Sequence, residues 1–149
     1  MNMNFWLSST DPARFEVDQA NEFFLDGYQE DDLETAIRLK PGDRIVYYIQ
    51  NWEAFGAICV ARSRVFIAWR PIWPGQVRPV RFERRPELVL PRERMLEASQ
   101  VAPRLSFLRQ KGKAQGQGAP NALLQESLRE IPRKDFELLE GEMKKRAGE

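Results

Sequence analysis

Leu39-Lys40-Pro41-Gly42-Asp43-Arg44-Ile45-Val46-Tyr47-Tyr48-Ile49 is a turn that hands straight to a strand. Pro41 pre-sets a turn φ, and Gly42 supplies a conformation that other residues enter at a cost. From Arg44 to Ile49 the residues are mostly β-branched or aromatic, which predicts a strand. Upstream, Phe5-Trp6-Leu7-Ser8 reads as a short opening strand, and Ser9-Thr10-Asp11-Pro12 as a capped helix start with proline in the first turn. That helix is expected to run to about Asn21. Phe23 to Tyr28 breaks it, with Gly27 as the turn residue. Glu30-Asp31-Asp32 then leads a second short helix that buries Leu33, Ala36 and Ile37.

Downstream, Asn51-Trp52-Glu53-Ala54 is a tight connection, and Phe55 to Ile67 predicts one long strand with a bulge near Arg62-Ser63. Val77 to Arg84 alternates with period two, although Pro79 demotes it to an edge or bulged strand. Pro86 to Leu90 continues extended. Pro91 begins a short helix that includes Met95 and Leu96, and Leu105 to Gln110 is another helical piece. Lys111 to Pro120 is glycine-rich and reads as a mobile loop; it lacks the Gly-Lys-Ser/Thr ending of a Walker loop. Ser127 to Ile131 predicts a last strand. Pro132 opens a final amphipathic helix through Phe136, Leu139 and Met143. The sum is mixed α/β: one domain over residues 1–149, with a small curved sheet of about five strands edged by short helices.

Composition narrows the function. The chain of 149 residues is 42% hydrophobic and 30% charged, which suits an ordinary globular protein. No apolar run is long enough for a bilayer, and Met1 to Leu7 lacks the basic start and apolar core of a secretory leader. A single cysteine, Cys59, sits in an apolar run and cannot form an internal disulfide, so a reducing cytoplasm is expected. With no histidine, His-based triads and His metal ligands are excluded. No clustered metal-ligand spacing is visible, and no cofactor is expected. This argues against an enzyme.

The net charge of +1 hides a division. Residues 1–61 hold 4 Lys/Arg against 11 Asp/Glu, a balance of −7, whereas residues 62–113 hold 13 against 4, a balance of +9. A basic face predicts a polyanion partner, and mutual neutralisation across the fold is the competing explanation. Within the basic segment, Trp69-Arg70-Pro71-Ile72-Trp73-Pro74-Gly75-Gln76-Val77-Arg78-Pro79-Val80-Arg81 puts indoles and guanidinium groups on a proline-stiffened loop. Planar rings beside guanidinium groups suit stacking on a base and pairing with phosphate. Either tryptophan could equally cap the core.

Taken in order, these segments resemble the EVE domain family, PUA-like and related to YTH domains. The matching pieces are Phe5-Trp6-Leu7, Leu39 to Tyr48, Gly56 to Val60, Ile72-Trp73-Pro74 with Arg78 to Arg81, Ser127 to Pro132 and Asp135 to Leu139. The resemblance implies a closed or nearly closed barrel with helices at its openings. It also implies a concave pocket for a flipped, modified base of DNA or RNA, and a sensor in bacterial defence instead of a catalyst. Carried onto this chain, Trp73 matches a cage position. Ser8 and Ser9 match polar residues after the first strand. Leu25 stands where relatives carry a tryptophan before Asp-Gly, so one cage wall would be aliphatic, or supplied by Phe24, Tyr28 or Trp52 instead.

The predicted base pocket is therefore Ser8, Ser9, Leu25, Tyr28, Tyr48, Trp52 and Trp73. Tyr47 and Tyr48 point to opposite faces, and Tyr48 is favoured for the pocket. Arg70, Arg78, Arg81, Lys111 and Lys113 are the expected backbone-binding cations. Trp6 reads as core, and the acidic run at Glu30 as a solvated helix start. A small-ligand or protein-interaction module is the alternative function, with an enzyme acting on bases behind it. Which base, which nucleic acid and which oligomeric state stay open.

Overall fold

The computed structural model describes residues 3–109 and 124–148. Strand β1 (Phe5–Thr10) leads to helix α1 (Pro12–Ala20), and β2 (Leu25–Tyr28) follows. A 3₁₀ turn over Glu30–Asp32 runs into α2 (Leu33–Ala36). Next come β3 (Arg44–Ile49), β4 (Ala54–Ala61), the short β5 (Phe66–Ile67) and the long β6 (Val80–Val89). The chain then forms β7 (Leu96–Glu97), α3 (Ala98–Val101), α4 (Ser106–Arg109), β8 (Leu128–Ile131) and α5 (Arg133–Arg146). The strands make one curled sheet in the order β2-β6-β4-β3-β1-β8, with β5 beside β6 and β7 beside β4. β1 runs parallel to β3 and antiparallel to β8.

Local chemistry explains the elements. The carboxylate of Asp11 accepts the backbone N–H of Arg14 at 2.9 Å, capping α1 just before Pro12. The Pro41-Gly42-Asp43 turn is fastened to β1 by its own aspartate. Asp43 accepts the indole N–H of Trp6 at 3.0 Å, the backbone N–H of Asn4 at 3.0 Å and the ammonium of Lys40 at 3.0 Å. Trp6 is fully buried core, as expected, and every residue of β1 is buried. Arg44 on β3 ties Glu87 (2.6 Å) and Glu140 of α5 (2.5 Å) together, seating the last helix on the sheet.

Several expectations are corrected. Among the described residues the sheet has eight strands where about five were expected, because two-residue segments such as β5 and β7 carry no sequence signal. Gly27 is a strand residue of β2 paired with Arg81, and the turn before it uses Glu22 and Phe23 at φ 56° and 58°. The long strand from Phe55 is interrupted after Ala61. Pro79 lies just outside β6, while Pro86 lies within it. The pairing steps from Ile58↔Leu88 to Cys59↔Pro86, leaving Glu87 unpaired, and this bulge accommodates a proline in an interior strand. A second bulge at Gly56 lets Ile49 and Met95 approach; a Cβ there would lie 2.7 Å from Ile49 Cδ1. Among the described residues no helix is long and apolar enough to cross a membrane.

Candidate nucleic-acid interface

The register of β1 against β3 sets two faces. Ser8 pairs with Tyr47 and Thr10 with Ile49 on the face toward α1 and β2, whereas Ser9 pairs with Tyr48 on the other. The first face carries a buried charged network. Arg84, from β6, is fully buried; its Nη2 lies 3.1 Å from Asp18 and its Nη1 3.4 Å from Asp26. It also donates to the carbonyl oxygens of Phe23 and Leu25, both at 2.9 Å. Asp26 accepts the Tyr47 hydroxyl at 2.8 Å, the Tyr28 hydroxyl at 3.1 Å and the Gly27 N–H at 2.8 Å. Ser8 Oγ lies 3.0 Å from the Tyr28 hydroxyl, and Asp18 accepts the indole N–H of Trp73 at 2.8 Å.

Charge balance follows from this geometry. Burial pushes the Asp26 carboxyl up, but Arg84, Arg14 and the donated hydrogen bonds outweigh it and hold the group below its ordinary value. Burial dominates at Asp18, which is raised despite the attraction of Arg84. Tyr28 and Tyr47 are pushed well above the usual phenol range by burial.

Around this network the polar groups are less well satisfied. Thr10 closes β1, Arg14 sits in the first turn of α1, and Arg78 precedes β6 at φ 57°. Thr10 Oγ1, Arg14 Nε and Arg78 Nε are buried without a hydrogen-bond partner among the described residues. Burial, then the charge of Arg14, pulls Arg78 below its ordinary value, while Asp26 and Asp11 oppose the shift. Gln29 donates to Gln76 at 2.7 Å and bridges β2 to the 68–79 loop. The result is a cationic rim with buried donors that lack acceptors, beside a floor in which Arg84 Nη1 lacks a hydrogen bond and is held by its ion pair with Asp26.

The structure brings Ser8, Tyr28 and Trp73 into one connected network. Leu25, half-buried, contributes its carbonyl to Arg84. Trp73 is 5% exposed, pressed on Gly27 and under Arg81, whose guanidinium is 5.3 Å from its ring centroid. Ser9 accepts from Gln50 at 2.7 Å, and Tyr48 packs on Phe55 at 5.5 Å, both on the opposite face. Trp52 is half-buried edge-on to Phe15, with Arg92 4.5 Å from its ring. These last three residues stand apart from the network.

Of the expected backbone-binding cations, Arg70 is exposed and Arg78 half-buried at the rim. Arg81 is 2% exposed and turned inward, because it donates to the carbonyl oxygens of Arg70, Val77 (3.1 Å) and Arg78 (3.0 Å). It organises the loop instead of facing a phosphate. Lys111 and Lys113 lie outside the described residues. Sequence reasoning missed Thr10, Arg14, Asp18, Asp26 and Arg84. The parity of Val80, Phe82 and Arg84 along one strand was the available signal for Arg84, since the first two are buried. A separate cavity of about 290 Å³, lined by Asn21, Phe24, Leu25, Arg70 and Ile72, opens beside Trp73's loop.

No family model matches the chain. A UPF0310 protein of Pyrococcus abyssi is 25% identical over 150 residues, covering 93% of this chain and 98% of that protein. The YTH domain of Zygosaccharomyces rouxii MRB1, solved with N6-methyladenosine RNA, is similar at a TM-score of 0.65 and 13% identity, covering 96% of this chain and 88% of that one. Human THYN1, solved with 5-methylcytosine-containing DNA, is similar at a TM-score of 0.57 and 11% identity, covering 93% and 97%. The fold is thus EVE/YTH-like, as the sequence resemblance implied.

Proposed function

On this EVE/YTH-like fold, we propose a non-enzymatic nucleic-acid reader that receives one base, in a modified form, at the rim formed by Thr10, Arg14 and Arg78. The observation that carries the reading is the set of buried, unpartnered atoms there: Thr10 Oγ1, Arg14 Nε and Arg78 Nε. A buried donor without an acceptor costs about 1–3 kcal/mol, and a guest with acceptors on its edge removes that cost. Guanidinium groups read such edges through paired hydrogen bonds. The fold's likeness to domains solved with methylated RNA and methylated DNA supports the same class of partner.

In this reading the hydrogen-bonded floor acts by staying fixed. Tyr28, Asp26 and Arg84 hold β2 and β6 at a set spacing, and Trp73 braces the loop through Asp18. Arg70 and the outward edge of Arg78 meet the phosphates. Drawing a base from a duplex costs a few kcal/mol, so a single-stranded or altered base is the favoured guest.

Fluorescence anisotropy of labelled single strands tests this. RNA with one N6-methyladenosine and DNA with one 5-methylcytosine are titrated against unmodified controls at two salt concentrations. Binding to a modified strand, weakened roughly tenfold by Arg14→Lys, is the expected result; that variant keeps the charge beside Asp26 and removes the fork. Absence of binding to every strand at low salt refutes the reading.

A further inference from the structure

The register of β2, β6 and β5 places Leu25, Gly27, Arg81 and Phe66 on one face, since Leu25 pairs with Glu83, Gly27 with Arg81 and Phe66 with Arg81. This is the outer face, opposite the one that buries Asp26, Tyr28, Val80 and Phe82. The 68–79 loop folds back across it, held by Arg81 on the carbonyls of Arg70, Val77 and Arg78 and by Trp73 on Gly27. Between loop and strand lies the 290 Å³ cavity. Of its lining, Phe24 is 51% exposed, and Trp69, the residue before the lining Arg70, is 57% exposed.

An exposed indole on a loop this firmly pinned costs solvation free energy, and the core does not require it. The charges around it are one-sided. Arg70 lines the cavity, and Arg62 and Arg64 are exposed on the β4–β5 connection, whose Arg62 N–H donates to the Glu83 carbonyl. None of these three arginines has an acidic partner among the described residues, and Glu83 is the one acid that the register puts on this face. Aromatic rings flanked by unpaired guanidinium groups are a stacking platform with phosphate contacts beside it.

We propose that this outer groove is a second nucleic-acid subsite, which seats an unpaired nucleotide adjoining the one that is read. That base stacks on Trp69 and enters against Phe24 and Leu25, while Arg70 holds its phosphate. The inference rests on the reader function proposed above. It adds that the partner is single-stranded beside the read base, because a base locked in a duplex stack cannot present both faces to Trp69 and the cavity.

The test separates the two sites by ligand size. Free N6-methyladenosine and 5-methylcytidine report the rim alone, whereas short labelled single strands carrying the same bases report rim and groove together. Wild type, Trp69→Ala and Arg70→Ala are compared; both side chains are exposed, so unchanged melting temperatures are expected. Trp69→Ala should weaken a strand roughly tenfold and leave the nucleoside affinity unchanged. Arg70→Ala should lower the log–log salt slope by about one. Equal strand affinity in Trp69→Ala and wild type overturns the groove. So does a Trp69-dependent protein contact or self-association alongside unchanged strand binding. Nucleoside binding with no gain from the strand overturns the groove and leaves the rim standing. Trp69-dependent strand binding without nucleoside binding does the reverse.

Discussion

Trp73 occupies the space that a side chain on Gly27 would need: a Cβ built on Gly27 would stand 2.6 Å from Trp73 Cζ3 and 2.8 Å from the Arg78 carbonyl oxygen. The glycine is required by close approach, since its φ is not in the left-handed region. Gly27→Ala should therefore cost about 1–3 kcal/mol, the range of overpacking. Urea unfolding of Gly27→Ala, Trp73→Leu and the double variant checks this. The double variant should be more stable than the sum of the two losses predicts, because the smaller side chain relieves part of the clash. Strict additivity would mean that the two residues do not press on each other.

Arg84 neutralises two buried carboxylates, so its removal strands both. Arg84→Met should cost about 3–5 kcal/mol, and adding Asp26→Asn should recover a measurable part of that loss. The acid limb of the stability curve follows from Asp26. Its folded value lies below the ordinary 3.8, so its contribution is full above that pH and is lost as pH falls through the folded value. Asp26→Asn should flatten stability against pH in that window. An acid limb unchanged in Asp26→Asn would assign acid unfolding to other carboxylates.

The alkaline limb is set by phenols. All three tyrosines of the chain, Tyr28, Tyr47 and Tyr48, are raised above the ordinary value of 10.0 by burial. Above pH 10 the unfolded chain releases protons that the folded chain retains, so stability falls as pH rises past that point. Phenolate absorbance should appear together with unfolding, not before it. Cys59, pushed up to about 12 by burial, should react with thiol reagents at mildly alkaline pH only as fast as the protein opens. Stoichiometric phenolate absorbance in a chain still folded by circular dichroism would contradict the packing around Asp26.

Asp43 should be among the most sensitive turn positions. It is fully buried, and Asp43→Ala leaves the Trp6 indole N–H and the Asn4 N–H without their acceptor. A loss of about 3 kcal/mol is expected, read by thermal and urea unfolding, with Asp43→Asn milder because it keeps an acceptor. Equal stability of Asp43→Ala and wild type would show that water replaces the carboxylate.

What the sequence disclosed and what it hid divide along a physical line. The turn at Pro41-Gly42, the strand after it, the cap at Asp11 and the final helix were legible because neighbours within a few residues determine them. Gly27 was misread as a turn because its reason for being glycine is Trp73, which is distant in the chain. Pro86 was compatible with an interior strand only through the bulge at Glu87, which belongs to a pairing and not to a string of residues. Trp73 and Arg81 looked like ligand contacts on composition. Each instead found its partners in the protein, Trp73 in Asp18 and Arg81 in three loop carbonyls. Arg14 carried no motif and Thr10 was read only as part of a helix start, so nothing in the sequence announced that Thr10 Oγ1 and Arg14 Nε are buried without hydrogen-bond partners.

The position of β1 between β3 and β8 also governs how the molecule is made. Ser8 pairs with Tyr47 on one side and with Leu128 on the other, so β1 has one neighbour that leaves the ribosome 120 residues after it (128 − 8). Until then β1 has an unpaired edge that carries Phe5, Trp6 and Leu7, the kind of edge that recruits other chains. Contacts this far apart in the chain slow folding, because the loop must close before the pairing rewards it. Nascent chains halted before Ser127–Ile131 emerges should accordingly be protease-sensitive and aggregation-prone, and they should become resistant once β8 is free to dock.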